Sequence, residues 1–474
     1  MNNNIILQAD GYKISHAEQY PLHTEYVYSY LESRGGKFSK TLFYGLQYYL
    51  KKYLEGEVVS VEKIDKAEKL LKSYLGNSID WTAWRKRWEY IIDTYDGKLP
   101  IEIRAVAEGS VVETHNVLMT VVNTDPNCYW LTNYLETLLS EIWYPITVAT
   151  QSREIKEVIL KFLQETGSKD PNSDILFKLH CFGYRGVSSQ ESAALGSSAH
   201  LVNFLGTDTV NALELIQEYY KGYNVGFSIP ASEHSTITSW GKENEVKAFE
   251  NMLDKYPTGL VACVSDSFNI FDACEHLWGE QLKDKIMNRD GTLVVRPDSG
   301  DPKAVVLQII NILGDKFGYS TNEKGFKVLD PHVRIIQGDG VCYESIIEIL
   351  QTLKDNGWAA ENIGFGSGGA LIQKLDRDSQ RFAFKCSAIC VDGQWQDVWK
   401  DPITDPGKTS KRGHLILYKA ENGKYHTLSI EEDKERPDND RFEYRRNQLV
   451  PVFRNGEVLK KYTFSEIREN AKLS

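Results

Sequence analysis

From residue 175 onward the chain repeats one pattern: a short apolar run stops abruptly on glycine, aspartate, serine or histidine, and a helix-like stretch often follows. The runs are "ILFKLHCFGYRG", "LVNFLGTDTV", "GFSIPASEH", "GLVACVSDS", "TLVVRPDSGD", "VRIIQGDGV", "NIGFGSGGA" and "FAFKCSAICV". Strands buried on both faces read as continuous apolar runs, and their alternation with helices specifies a parallel sheet. About eight such units suit a closed (βα) barrel. An open doubly wound sheet is the competing arrangement. A barrel forms its site at the C-terminal strand ends, where these runs place their polar residues.

The rest of the chain reads differently. Val61, Ile64, Ala67, Leu71, Tyr74 and Leu75 follow helical spacing and Gly76 supplies a stop. "IEIRAVAEGSVVETHNVLMTVVNTD", with turn residues near Gly109 and Asn116, reads as strands. Gly413 to Ser474 returns to strand-like "HLILYK" and "QLVPVFRNGEV" with a short terminal helix. The expected organisation is a mixed α+β region over 1–150, an α/β barrel-like catalytic region over 151–384, and a β-rich region over 385–474 that packs with the first.

A net charge of −11 disfavours general binding to nucleic acid or to an anionic membrane. No uninterrupted apolar stretch of about 18 residues is found, and Met1-Asn2-Asn3-Asn4 lacks the basic and apolar regions of a secretory signal. A cytoplasmic location is expected. The seven cysteines are odd in number and scattered, which fits reduced thiols. Cys386 and Cys390 are a metal pair or, on the plainer reading, part of a buried strand. "PGKTSKRGH", with Lys408, Lys411 and Arg412, suits a phosphate or is a solvated loop.

The strand ends carry the chemistry. The Gly-Ser-Gly-Gly turn of "NIGFGSGGALIQKL" would aim free backbone N–H groups at an anion. "QGDG", Gln337 to Gly340, does so less strongly, and either loop could be a tight turn alone. Arg296 and Asp298, two apart, point to one side of a strand. There they form a phosphate fork with a sugar or Mg²⁺ ligand, or an internal ion pair. His180, Phe182, Tyr184 and Arg185 offer aromatic surface and a guanidinium. Asp208 accepts from a ligand amide or caps a helix. His234, in "EHSTITSW", is a ligand-facing imidazole or a helix-start histidine bonded to its hydroxyl neighbours. Together these describe a pocket for a phosphorylated sugar and a planar base.

These residues, with "DGYKISHAEQYP", "FYGLQYYLKKYL", "NTDPNCYWLTNYLET", "FGYRGVSSQE", "GTDTV", "EHSTITSWGK", "RPDSG", "IQGDG" and "FGSGG" in order, resemble the nicotinamide phosphoribosyltransferase family of type II phosphoribosyltransferases nearly end to end. The resemblance implies a pentosyltransferase of NAD biosynthesis. It would join nicotinamide to phosphoribosyl pyrophosphate in an α/β fold whose parallel, barrel-like core stands beside a β-rich domain built from both chain ends. It implies that Phe182 and, from the other subunit of a homodimer, Tyr12 sandwich the pyridine ring, and that Asp208 accepts the carboxamide N–H. Arg185, Arg296 and Arg377 match phosphate and pyrophosphate contacts. Asp298, Gly338, Asp339, Gly368 and Gly369 match the phosphoribosyl lining, and Lys385, Lys400 and Lys408 match further phosphate contacts. Asp266 would help arrange Mg²⁺. His234 would become phosphorylated as ATP, a coupled co-substrate, is hydrolysed. Glu233, its neighbour in the sequence, is a candidate of our own to orient it. The catalytic set so implied is His234, Asp298 and Arg296. Cys181 stands where the family carries an acidic residue, and the loop "SRGGKFSKTLFYG" is short.

Two other readings share the barrel plan. A sister enzyme using nicotinate or quinolinate would meet like-charge repulsion at Asp208. A phosphosugar isomerase or lyase would need no clamp for a flat ring.

Overall fold

The structure is a computed structural model and describes residues 4–434 and 447–473. The chain divides into two compact units, Met1–Thr150 with Tyr219–Lys221 and Asp376–Lys472, and Gln151–Glu218 with Gly222–Leu375 and Leu473–Ser474.

The first unit is built on a seven-stranded antiparallel sheet. At its centre Thr24–Ser33 pairs with Val117–Asn123 on one side and Phe382–Val391 on the other. Ile101–Ala105 and Val450–Arg454 extend it. The run "FAFKCSAICV" therefore joins this sheet rather than the parallel core. Its nine-position register with Thr24–Ser33 takes the chain out of the second unit at Leu375, so a break after residue 384 would cut a strand in half. Cys386 and Cys390 lie along that strand as free thiols. The helix Val61–Leu75 forms as its spacing predicts, with the Ser60 side chain accepting from Lys63 N–H at its start and Gly76 at its end. Its buried stripe is Ile64, Ala67 and Leu71, while Val61 and Tyr74 stay exposed. The strand hairpin after residue 101 turns at Gly109 and at His115, whose φ is 65°, one residue earlier than expected.

The second unit holds six parallel strands: β1 Leu179–Cys181, β2 Gly206–Thr207, β3 Thr258–Val264, β4 Asp290–Arg296, β5 Val333–Gln337 and β6 Ile363–Ser367. Their order across the sheet is β2-β1-β6-β5-β4-β3. The two edge strands are joined by the segment Phe227–Ala231. Phe227 bridges Gly206, and Ala231 bridges Ala262. Four backbone bonds secure it, from Thr207 and Ser232 N–H at 3.0 Å each, Ala262 N–H to Pro230 at 2.9 Å, and Phe227 N–H to Leu205 at 2.8 Å. The ring thus closes through an irregular seventh stave, which corrects the count of eight units and excludes the open sheet. Ala262, Val294 and Ile336 form an apolar cluster from β3, β4 and β5, with Phe182 and Ile229 against it.

Candidate active site

Because every strand of the ring runs the same way, one end collects all the polar termini. β1 leads into Phe182 and Arg185, β2 into Asp208, and the seventh stave into His234. β3 leads into Asp266, β4 into Asp298, β5 into Gly338 and Asp339, and β6 into Gly368 and Gly369. Convergence is measurable at Gly338: a Cβ built there would lie 3.4 Å from Asp298 Oδ1, 3.7 Å from Phe182 Cε2 and 3.8 Å from Arg296 Cδ.

The Phe182 ring lies over the backbone of Gly366, where a Cβ would stand 1.9 Å from Phe182 Cε2. Glycine is required for that approach. Gly366→Ala is expected to displace the ring at a stability cost of about 1–3 kcal/mol from overpacking. A thermal melt would check it; an unchanged melting temperature would count against the close packing of Phe182 on Gly366.

Around His234 the geometry is specific. Nε2 lies 2.9 Å from Asp266 Oδ1, and Nδ1 is 3.9 Å from Asp298 Oδ2. Asp266 Oδ2 accepts from Asp298 N–H at 3.2 Å and from the Ser299 hydroxyl at 2.5 Å. The Asp266 side chain is only 5% exposed, against 46% for His234, so a buried carboxylate orients an accessible ring. Glu233 does not take that part. As N-cap of the short helix His234–Thr238 it forms a capping box with Thr236 and accepts from Ser235, which uses its carboxylate locally. Burial raises the Asp298 carboxyl above its ordinary range, helped by the negative charges of Asp266 and Asp339 and opposed by Arg296 and His234. Arg296 Nε is buried without a hydrogen-bond partner among the described residues.

Asp208 stands one residue beyond β2, exposed, with its N–H bonded to Cys181 O at 3.0 Å and its Oδ1 accepting from the Ser228 hydroxyl. Its carboxylate faces Ser228, twenty residues on, a partner that no local motif announced. Ser228 and His180 also line a cavity of 580 Å³ that reaches from Val294 and Ile336 toward Lys178, Pro331 and Ile363 at the starts of the strands, and the strand-tip residues Phe182, Asp208, His234 and Asp298 are outside its lining. Burial lowers the His180 imidazole below its usual value, so it stands neutral as a wall of this space. Cys181 is buried with its thiol 3.6 Å from Thr209 Oγ1, and burial pushes that thiol up. It is an inert wall residue.

The remaining expected residues belong to the first unit. Arg377, Lys385, Lys400 and Lys408 line one cavity of 640 Å³ with Arg34 and Arg381. Burial lowers the Lys385 ammonium, Glu136 in the same cavity opposes this, and Arg34, Arg377 and Lys400 lower it further, so several cations gather there beside Glu136, Asp378 and Asp405. Arg34 Nε is paired with Glu32 at 2.9 Å, while its Nη2 is buried without a hydrogen-bond partner among the described residues. Arg381, an exposed residue with no motif or spacing to single it out in the sequence, is a further cation of this cavity. Tyr12 is 63% exposed, its ring edge-on to His16 at 4.9 Å. Among the described residues no group of three or more His, Cys, Asp or Glu is arranged to hold a metal ion, and no helix is long and apolar enough to cross a membrane.

Comparison with known proteins agrees with this arrangement. The family described as "Nicotinate phosphoribosyltransferase (NAPRTase) family" matches residues 177–456, and "Nicotinamide phosphoribosyltransferase, N-terminal domain" matches residues 4–103. A protein of Xanthomonas campestris pv. campestris named nicotinamide phosphoribosyltransferase is 49% identical over 99% of this chain and 98% of its own. One of the same name from Acinetobacter baylyi is 32% identical over 97% and 95%. Among solved structures, nicotinate-nucleotide pyrophosphorylase from Pyrococcus furiosus superposes with a TM-score of 0.61 at 17% identity, covering 99% of this chain and 95% of that one. Human nicotinic acid phosphoribosyltransferase gives 0.56 at 16%, covering 98% and 92%. At such identities the two structures share the fold.

Proposed function

Since the chain belongs to the nicotinamide phosphoribosyltransferase family, we propose that its strand tips bind nicotinamide and phosphoribosyl pyrophosphate and join them into nicotinamide mononucleotide, releasing pyrophosphate. The reaction is a step of NAD salvage. The observation that carries the assignment of the site is the convergence of Phe182, Arg296, Asp298 and Gly338 at one strand end, beside His234 on Asp266.

Loss of pyrophosphate from the ribose develops oxocarbenium-like charge at C1, as in glycosyl transfer, and the pyridine nitrogen attacks there. The chain's part is positioning and stabilisation of the leaving anion. Phe182 holds one face of the ring, Tyr12 of the partner subunit the other, each stack adding about 0.5–1.5 kcal/mol beyond burial. Asp208 accepts from the carboxamide, and a nicotinate carboxylate there would be repelled. Arg185 and Arg296 take phosphate oxygens. Asp298 and Asp339, with the backbone of Gly338, Gly368 and Gly369, line the ribose phosphate. Arg377, Lys385, Lys400 and Lys408 supply further phosphate contacts in a cytoplasmic homodimer.

Asp266 and Asp298 are hard oxygen donors suited to Mg²⁺, but two carboxylates leave most of an octahedral shell to water and phosphate oxygens. Asp266, whose Oδ2 already accepts two bonds, would reach the ion through water. Such an ion would neutralise pyrophosphate charge.

ATP is the coupled co-substrate. A Nε2–H donated to Asp266 leaves the Nδ1 lone pair as nucleophile; this tautomer follows from the hydrogen bond. Nδ1 attacks the terminal phosphorus, the bond to the bridging oxygen breaks and ADP departs. Water later cleaves the labile N–P bond to give phosphate.

The test is to incubate purified protein with phosphoribosyl pyrophosphate, Mg²⁺ and either nicotinamide or nicotinate, with and without ATP, and follow mononucleotide. Nicotinamide is expected to be preferred by at least about a hundredfold in kcat/KM, the scale set by placing a nicotinate carboxylate against the like charge of Asp208. A preference for nicotinate would refute the reading of Asp208.

A further inference from the structure

We infer that His200 is a positioning residue for recognition of the pyridine carboxamide: it fixes the Gly206 carbonyl and, through that short strand, the place of the Asp208 carboxylate. The inference rests on the reading of Asp208 given above.

β2 is two residues long and meets β1 at only two positions, His180 with Gly206 and Cys181 with Thr207. On its other side it has a single bridge, Gly206 to Phe227, and Asp208 comes directly after it. A further constraint comes from the helix Gln190–Leu201, whose residues from Ala193 onward are all buried. His200, fully buried, lies with Nε2 3.1 Å from Gly206 O and Nδ1 3.0 Å from Ser152 Oγ. Its ring stacks on Phe204, with centroids 5.2 Å apart and planes 16° from parallel. A carbonyl oxygen can only accept, so Nε2 carries a proton; in the neutral ring Nδ1 then accepts from Ser152.

The opposite side of the same residue is blocked by a second imidazole. A Cβ on Gly206 would lie 2.4 Å from His180 Nδ1, so one histidine packs against its Cα while the other holds its carbonyl. From the same helix Ser197 Oγ bonds Thr207 Oγ1 at 2.8 Å, and Thr207 Oγ1 accepts from Thr209 N–H at 2.9 Å. These side-chain bonds add to the two backbone bonds that flank the same peptide, from Thr207 N–H to Phe227 O and from Asp208 N–H to Cys181 O at 3.0 Å each. A carboxylate that must accept one amide N–H in a fixed direction needs that support, because hydrogen bonds weaken steeply with misalignment.

The experiment compares His200→Leu, which keeps apolar bulk and removes both ring bonds, with His200→Gln, which keeps a side-chain N–H. Asp208→Asn and the His200→Leu/Asp208→Asn double variant accompany them. His200→Leu is expected to raise KM for nicotinamide about tenfold while KM for phosphoribosyl pyrophosphate stays within about twofold, and His200→Gln to return within about threefold of the parent. The double variant should bind nicotinamide no worse than Asp208→Asn alone, since His200 acts through Asp208. Equal rises in both Michaelis constants would mark a merely structural role and overturn the inference. So would a normal nicotinamide KM in His200→Leu beside a raised one in Asp208→Asn. If Asp208→Asn itself leaves that KM unchanged, the reading of Asp208 falls, and the inference with it. Should His200→Leu prove insoluble, Ser152→Ala is expected to give a two- to threefold shift confined to nicotinamide, and no shift would overturn the proposal.

Discussion

Arg296→Ala is expected to lower kcat/KM for mononucleotide formation by about two to three orders of magnitude, equivalent to about 2.7–4 kcal/mol of lost transition-state stabilisation. Arg296 closes β4, and a Cβ at Gly338 would come within 3.8 Å of its Cδ and 3.4 Å of Asp298 Oδ1. In the role proposed for it, a guanidinium so placed would fork onto phosphate oxygens while the leaving charge builds. Arg296→Lys should recover only part of the loss, because a point charge cannot make the paired contact. Steady-state kinetics with saturating nicotinamide would measure the effect. A change below about threefold would remove Arg296 from the stabilisation of the departing pyrophosphate.

For His234→Ala the expected outcome is complete loss of stimulation by ATP, with basal transfer persisting. In the proposed mechanism the imidazole takes no part in the displacement at C1, so its removal would leave the proposed clamp and phosphate contacts in place. Asp266→Asn should imitate this incompletely, since an amide accepts the Nε2–H less strongly than a carboxylate and loosens the ring. The measurements are mononucleotide formation with and without ATP, and acid-labile phosphate on the protein. Undiminished stimulation, or phosphate retained on the His234→Ala protein, would assign the phosphoryl acceptor elsewhere.

The strand tips were legible because their residues follow apolar runs directly in sequence, and a run of buried strand allows few places for a glycine or a carboxylate except its end. Phe182, Asp208, Asp298 and Gly338 were found in this way. Relations across the ring were not legible. Asp266 is 32 positions from the histidine it orients, and a local candidate, Glu233, stood next door; local proximity favoured Glu233, but the helix start claimed its carboxylate for capping. Ser228 carried no signal, its hydroxyl meeting Asp208 only once the seventh stave is laid beside β2. The last apolar run misled for a related reason: "FAFKCSAICV" is as apolar as the parallel strands, and only its partner Thr24–Ser33, more than 300 positions away, makes it antiparallel. Periodicity reports burial and leaves the identity of the neighbour open.

The stretch Phe227–Ala231 makes the cylinder a vessel with a seam. It is fastened by two bridges where the other slats have ladders, and Pro230 has no N–H to contribute. The Ser228 hydroxyl that bonds Asp208 lies in this seam, and His234 follows three residues after it ends. On the roles proposed for these two residues, slackening here would unseat both at once, and choice of base and use of nucleotide energy would deteriorate together.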